Sequence, residues 1–177
     1  GLSLLCIILV VGLIGFTQMQ KIGNEIVDIA EIDIPLNNVM THITEHQLTQ
    51  VIELERAVLN GVLDQYAGGH FEKEMAHHIK EVRNISKEIE HEFVEAEALI
   101  EKAFSIAQSQ VLLDKLSDLN EKILLIDSHF AKTEHETFEL VDLLEANKIE
   151  DALKLLPTLE KHQNELDEEL IEVLNDI

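Results

Sequence analysis

Beyond residue 20, apolar positions recur three and four apart along almost the whole chain. That spacing is helical rather than extended. The first stretch carries Ile22, Ile26, Ile29, Leu36, Met40, Ile43, Leu54 and Val58. The second runs from Phe71 through Met75, Ile79, Val82, Ile89 and Phe93 to Ala103. A third includes Leu116, Leu119, Ile123, Ile126, Phe130, Thr137, Leu140 and Leu144. A fourth includes Ile149, Ala152, Leu159, Leu166, Leu170, Val173 and Ile177. Gly68 and Gly69 form the only Gly pair and offer a left-handed helix terminus, and Asn147 can take the same conformation. Nothing comparable separates the second stretch from the third, so a turn at 105–110 is placed on length. The pattern predicts helices at about 20–66, 70–106, 109–146 and 149–177. Pro35 and Pro157 fall inside helical patterns and are expected to kink them. The expected fold is all-α, an antiparallel up-down-up-down four-helix bundle.

The start of the chain has a different character. Residues 1–20 carry no charged side chain. Nineteen residues of helix span about 28 Å, close to a hydrocarbon core of about 30 Å. Residues 1–19 are therefore expected to form a transmembrane helix, truncated at its start and continuous with the first long helix; residues 20–177 would form the domain outside. A secretory leader is the alternative, but no A-x-A site follows Phe16. The fourth helix would need about 18 more residues, roughly 27 Å, to return to the membrane. The chain is thus expected to continue past Ile177 into a second span.

Composition narrows the possible functions. The chain has 13 Lys and Arg against 35 Asp and Glu, a net charge of −22. Polyanion binding is built on clustered cations, so nucleic acid is excluded as a partner, and an anionic membrane surface is disfavoured for the same reason. A single Cys6 supports neither a disulfide framework nor a Cys-based zinc site. No nucleophile–base triad or phosphate loop is visible, so neither enzyme activity nor a cofactor is expected.

Residues 33–56 carry three short motifs: Asp33-Ile34-Pro35-Leu36, His46-Gln47-Leu48-Thr49-Gln50 and Glu55-Arg56-Ala57. This segment resembles the opening of the sensory domain of bacterial methyl-accepting chemotaxis receptors. The stretch 143–157, with Asn147-Lys148 at its turn, is similar to a later turn of that family. The resemblance implies a periplasmic four-helix sensory module on the bacterial inner membrane, a homodimer through its first helix. Such a module transmits a helix displacement to a cytoplasmic signalling module. Similar bundles also precede histidine kinases and diguanylate cyclases, and an envelope-associated helical protein without a ligand is a further alternative. No ligand carries over from the resemblance.

Several polar residues occupy core positions. The heptad of the first helix, continued past Ile43, reaches Gln47 and Gln50. The third puts Thr133 between Phe130 and Thr137, and the fourth puts Gln163 between Leu159 and Leu166. Gln50, Thr133 and Gln163 fall at one depth, about 20–24 Å below the distal turns. Buried amides require partners, so these residues form a register-fixing polar layer or a small polar cavity for a ligand, unless the heptad frame slips and they face solvent. Arg56 could clamp a carboxylate ligand or pair with Glu53, Glu55 or Glu136. His42 and His46, four apart on one face, are weak candidates for a divalent metal. Glu74–His77 and Glu88–His91 have di-iron spacing, but they lie about 21 Å apart on one helix and cannot share a site.

Overall fold

The computed structural model describes residues 29–107 and 109–177. Four long helices account for nearly all of them: α1, Ile34–Ala67; α2, Glu72–Ile106; α3, Gln110–Glu145; and α4, Ile149–Asp176. A single π-helical turn, Ile29–Asp33, precedes α1. Pro35 sits in the first turn of α1, where its missing N–H leaves no bond unmade. The expected disturbance at this proline is a change of helical register just before it. Pro157, by contrast, lies inside α4, which continues through it. The expected transmembrane helix at 1–19, and the part of the first helix before residue 29, lie outside the described residues. Among the described residues no helix is long and apolar enough to cross a membrane.

The turns follow from local chemistry. Gly68 closes α1 with φ 64°. Asn147, with φ 57°, closes α3. Lys148 N–H then donates to Leu143 O at 2.8 Å and Asn147 N–H to Leu144 O at 2.9 Å, a Schellman pair that uses two otherwise free carbonyls. The turn placed on length alone is real, and Ser109 defines it by accepting from Leu112 N at 3.1 Å as an N-cap.

The helices pack as two antiparallel hairpins. α1 makes its most extensive contacts with α2, and α3 with α4; the α2/α3 and α4/α1 seams are sparser. The buried side chains divide into two apolar clusters. The lower cluster includes Leu36, Met40, Ile43, Ile89, Leu119, Ile123, Leu166 and Leu170, with Phe93 tilted against Phe130 at a centroid distance of 5.6 Å. The upper cluster includes Leu54, Val58, Val82, Leu140, Leu144, Ile149 and Leu159. Gly61 marks a close approach there, since a Cβ would lie 2.9 Å from Ile149 Cδ1.

Candidate functional site

Between the two apolar clusters every helix turns polar. On α1, Gln47 and Gln50 separate Ile43 from Leu54; on α3, Thr133 and Thr137 separate Phe130 from Leu140. On α4, Gln163 separates Leu159 from Leu166, and on α2, Ser86 lies where Val82 of the upper cluster gives way to Ile85 of the lower one. All six side chains are buried. Amphipathic periodicity put them there: the same three-and-four spacing that points the leucines inward points these residues inward as well.

The layer is unevenly satisfied. Gln50 Nε2 donates to Ser86 Oγ at 2.6 Å, joining α1 to α2. Thr133 donates to His129 O, one turn back on its own helix, at 3.0 Å. Gln47 is 1% exposed, yet both its amide nitrogen and its oxygen lack a protein partner. Gln163 Nε2 and Thr137 Oγ1 are also unpartnered. Buried polar groups without partners are few in folded proteins. Three donors and two acceptors in one section could hold water or a small polar ligand that both donates and accepts.

Histidine–carboxylate pairs seal the flanks of this section within each hairpin. His46 Nδ1 lies 3.0 Å from Glu92, and His78 Nδ1 lies 2.5 Å from Glu53, both across the α1/α2 seam. Across α3/α4, His129 Nδ1 is 2.8 Å from Glu169 and His162 Nδ1 is 2.6 Å from Glu136. The hairpins echo one another: His46 and Glu53 have the same spacing on α1 as His129 and Glu136 on α3, with Gln50 and Thr133 one turn past each histidine. Burial disfavours ionisation of Glu53, but His78 and Arg56 outweigh it and hold the carboxyl below the ordinary glutamate range. A groove of about 300 Å³ runs between α3 and α4, with Thr133 and Leu166 in its floor and His129, His162 and Lys132 among its walls.

The structure thus brings Gln47, Gln50, Thr133 and Gln163 into one section and leaves Arg56 out of it. The Arg56 side chain is 56% exposed and pairs with Glu53 at 2.6 Å. Glu136 is committed to His162. His42 is exposed, 4.0 Å from the Glu92 carboxylate that His46 holds more closely. Among the described residues no three His, Cys, Asp or Glu side chains are grouped to hold a metal ion, so His42 and His46 lack a completed ligand set. Two further layer members are Ser86, which was not read from the sequence, and Thr137, which was placed on the inward stripe of the third helix but not among the candidate site residues. Their signal was present: both keep the three-and-four spacing, Ser86 between Val82 and Ile89 and Thr137 between Thr133 and Leu140. The histidine–carboxylate pairs had no such signal, because they depend on the register between helices. No family model, curated protein or solved structure matches this chain.

Proposed function

We propose that this bundle is the sensory module of a membrane-anchored bacterial chemotaxis receptor, with its helices outside the inner membrane. A ligand or partner protein would displace one helix against its neighbours, and the long α1 and α4 would carry the displacement to a cytoplasmic output module. The observation that carries this reading is the polar layer across the middle of a long bundle. Two well-packed apolar halves are joined by a section with unpartnered hydrogen-bonding groups, where a bound molecule can favour one helix arrangement over another. The motifs at residues 33–56 and the uncharged stretch at 1–20 support the same reading.

The surface of α1 supports a homodimer through that helix. Leu48, Ile52, Leu59 and Tyr66 are exposed, and at spacings of four and seven they fall on one strip of the helix. In a solitary bundle that strip faces water; against a second copy it becomes a helix–helix seam. Sedimentation of the chain in detergent should give a dimer, and Ile52→Glu with Leu59→Glu should give a folded monomer. A thermal-shift screen against small polar molecules tests sensing directly. If neither small molecules nor changes of metal or pH move the melting temperature, direct ligand detection is rejected.

A further inference from the structure

His46, His78, His129 and His162 each hold a carboxylate through Nδ1. Among the described residues, only His46 has a second carboxylate at its other ring nitrogen. Its Nδ1 lies 3.0 Å from Glu92, and its Nε2 lies 3.7 Å from Glu88, one turn earlier on α2. The first contact is a hydrogen bond. The second is too long to be one, so Nε2 and the Glu88 carboxylate stand opposed across the α1/α2 seam with a gap between them.

That gap has the dimensions of a metal ion. An imidazole that donates Nδ1–H to a carboxylate carries its lone pair on Nε2, and metal-bound histidines are oriented in this way. With metal–ligand bonds of about 2.0–2.2 Å, two tetrahedral ligands lie about 3.4 Å apart. Nε2 and Glu88 reach that separation when Glu88, whose side chain is 59% exposed, closes by about 0.3 Å. Glu92, 13% exposed and bonded to Nδ1, holds the ring in place for it.

We infer that His46 Nε2 and Glu88 bind a divalent transition-metal ion of the zinc type, with Glu92 as the residue that positions the imidazole. The surrounding charge favours a cation. A groove of about 380 Å³ contains the pair, and its walls carry Glu88, Glu92 and Glu95 against a single Lys87. Imidazole beside carboxylate suits zinc, nickel or copper(II), whereas magnesium and calcium take oxygen ligands. His42 reaches only Glu92, at 4.0 Å, and is not part of the pair. No third His, Cys, Asp or Glu is grouped with it among the described residues. The remaining coordination positions are left to water, so this is an open site rather than a closed structural one.

Its place in the bundle gives the ion a mechanical effect. His46 lies one turn below Gln50, whose amide donates to Ser86 of α2 at 2.6 Å. A bound ion adds a second link across the same seam and resists sliding of α1 along α2. The inference does not depend on the receptor reading.

Calorimetric titration of the full 177-residue chain in detergent with zinc should show one strong site per chain. Zinc at a hundred times its dissociation constant should raise the melting temperature by about 5–10 °C. His46→Ala should abolish the site, and Glu92→Gln, which leaves both ligands in place, should weaken it about 10–100-fold. Glu88→Gln should weaken it by about tenfold or more. This last variant lies at an exposed side chain and stays decisive if His46→Ala fails to fold. Cobalt(II) should give visible d–d bands that disappear in His46→Ala or Glu88→Gln. A control with His70→Ala and His135→Ala, both exposed and outside the seam, should bind as wild type does. Absence of a strong site, unchanged affinity in Glu88→Gln, or loss of the site in the control overturns the inference. Any of these with dimerisation and ligand response intact leaves the receptor reading standing. Zinc held by His46 and Glu88 in a chain that neither dimerises nor responds to other ligands supports this inference and removes that reading.

Discussion

Two kinds of core share one bundle. Above and below the middle, leucine, isoleucine and phenylalanine fill the space between the helices and ask nothing of it but volume. In the middle, amides and hydroxyls fill it and require directed partners, which only some of them find. Apolar burial is non-directional, whereas a buried amide is favourable only when its hydrogen bonds are made. The halves therefore hold the fold together, and the middle is the section whose packing another molecule can most readily change.

The largest effect should come from the lower half. Phe93→Ala removes one ring of the Phe93–Phe130 pair from a site 2% exposed and should destabilise the chain by about 3–5 kcal/mol in a urea titration. A loss under about 1 kcal/mol would mean the lower half is no better packed than the layer. Gln47→Leu should have the opposite sign. It removes an amide unpartnered at both ends and should stabilise by about 1–3 kcal/mol, the penalty of a buried unsatisfied group. Adding Gln163→Leu should raise stability further. If the pair destabilises instead, water or a ligand satisfies these amides and the layer is a binding site rather than a gap in the packing.

Gln50→Leu sharpens the contrast within the layer, because this amide does have a partner in Ser86. Its loss should destabilise by about 0.5–1.5 kcal/mol, which the same titration can separate from the gain at Gln47. The smallest effect belongs to Arg56. Arg56→Ala breaks an exposed pair with Glu53 and should change stability by about 0–1 kcal/mol. Glu53 keeps its contact with His78. Its lowered pKa gives stability that is present above the ordinary glutamate range and lost as pH falls through the folded value. Glu53→Gln should accordingly lower the neutral plateau of the melting curve and flatten its acid limb.

The layer was legible in the sequence because periodicity reports which side of a helix a residue occupies. Gln47, Gln50, Thr133 and Gln163 sit where a leucine would fit the pattern, and all four are buried. For Arg56 the sequence left open a ligand clamp or a pair with Glu53, Glu55 or Glu136, because depth along a helix says nothing about the direction around it. The structure turns Arg56 outward onto Glu53 and gives Glu136 to His162. The histidines were read along single helices, as His42 with His46 and as Glu-x-x-His units, whereas their observed partners lie on other helices.

The sequence by itself determined the number of helices, the two glycine- and asparagine-closed turns and the inward face of each helix. All of these depend on interactions among residues close along the chain. Only the tertiary structure decided which polar groups in the layer are satisfied and which carboxylates meet histidines. Those outcomes depend on the rotation and register of one hairpin against the other. A shift of one residue moves a side chain by 100° around its helix, so a periodicity that names the inward face leaves its partner across the seam undetermined.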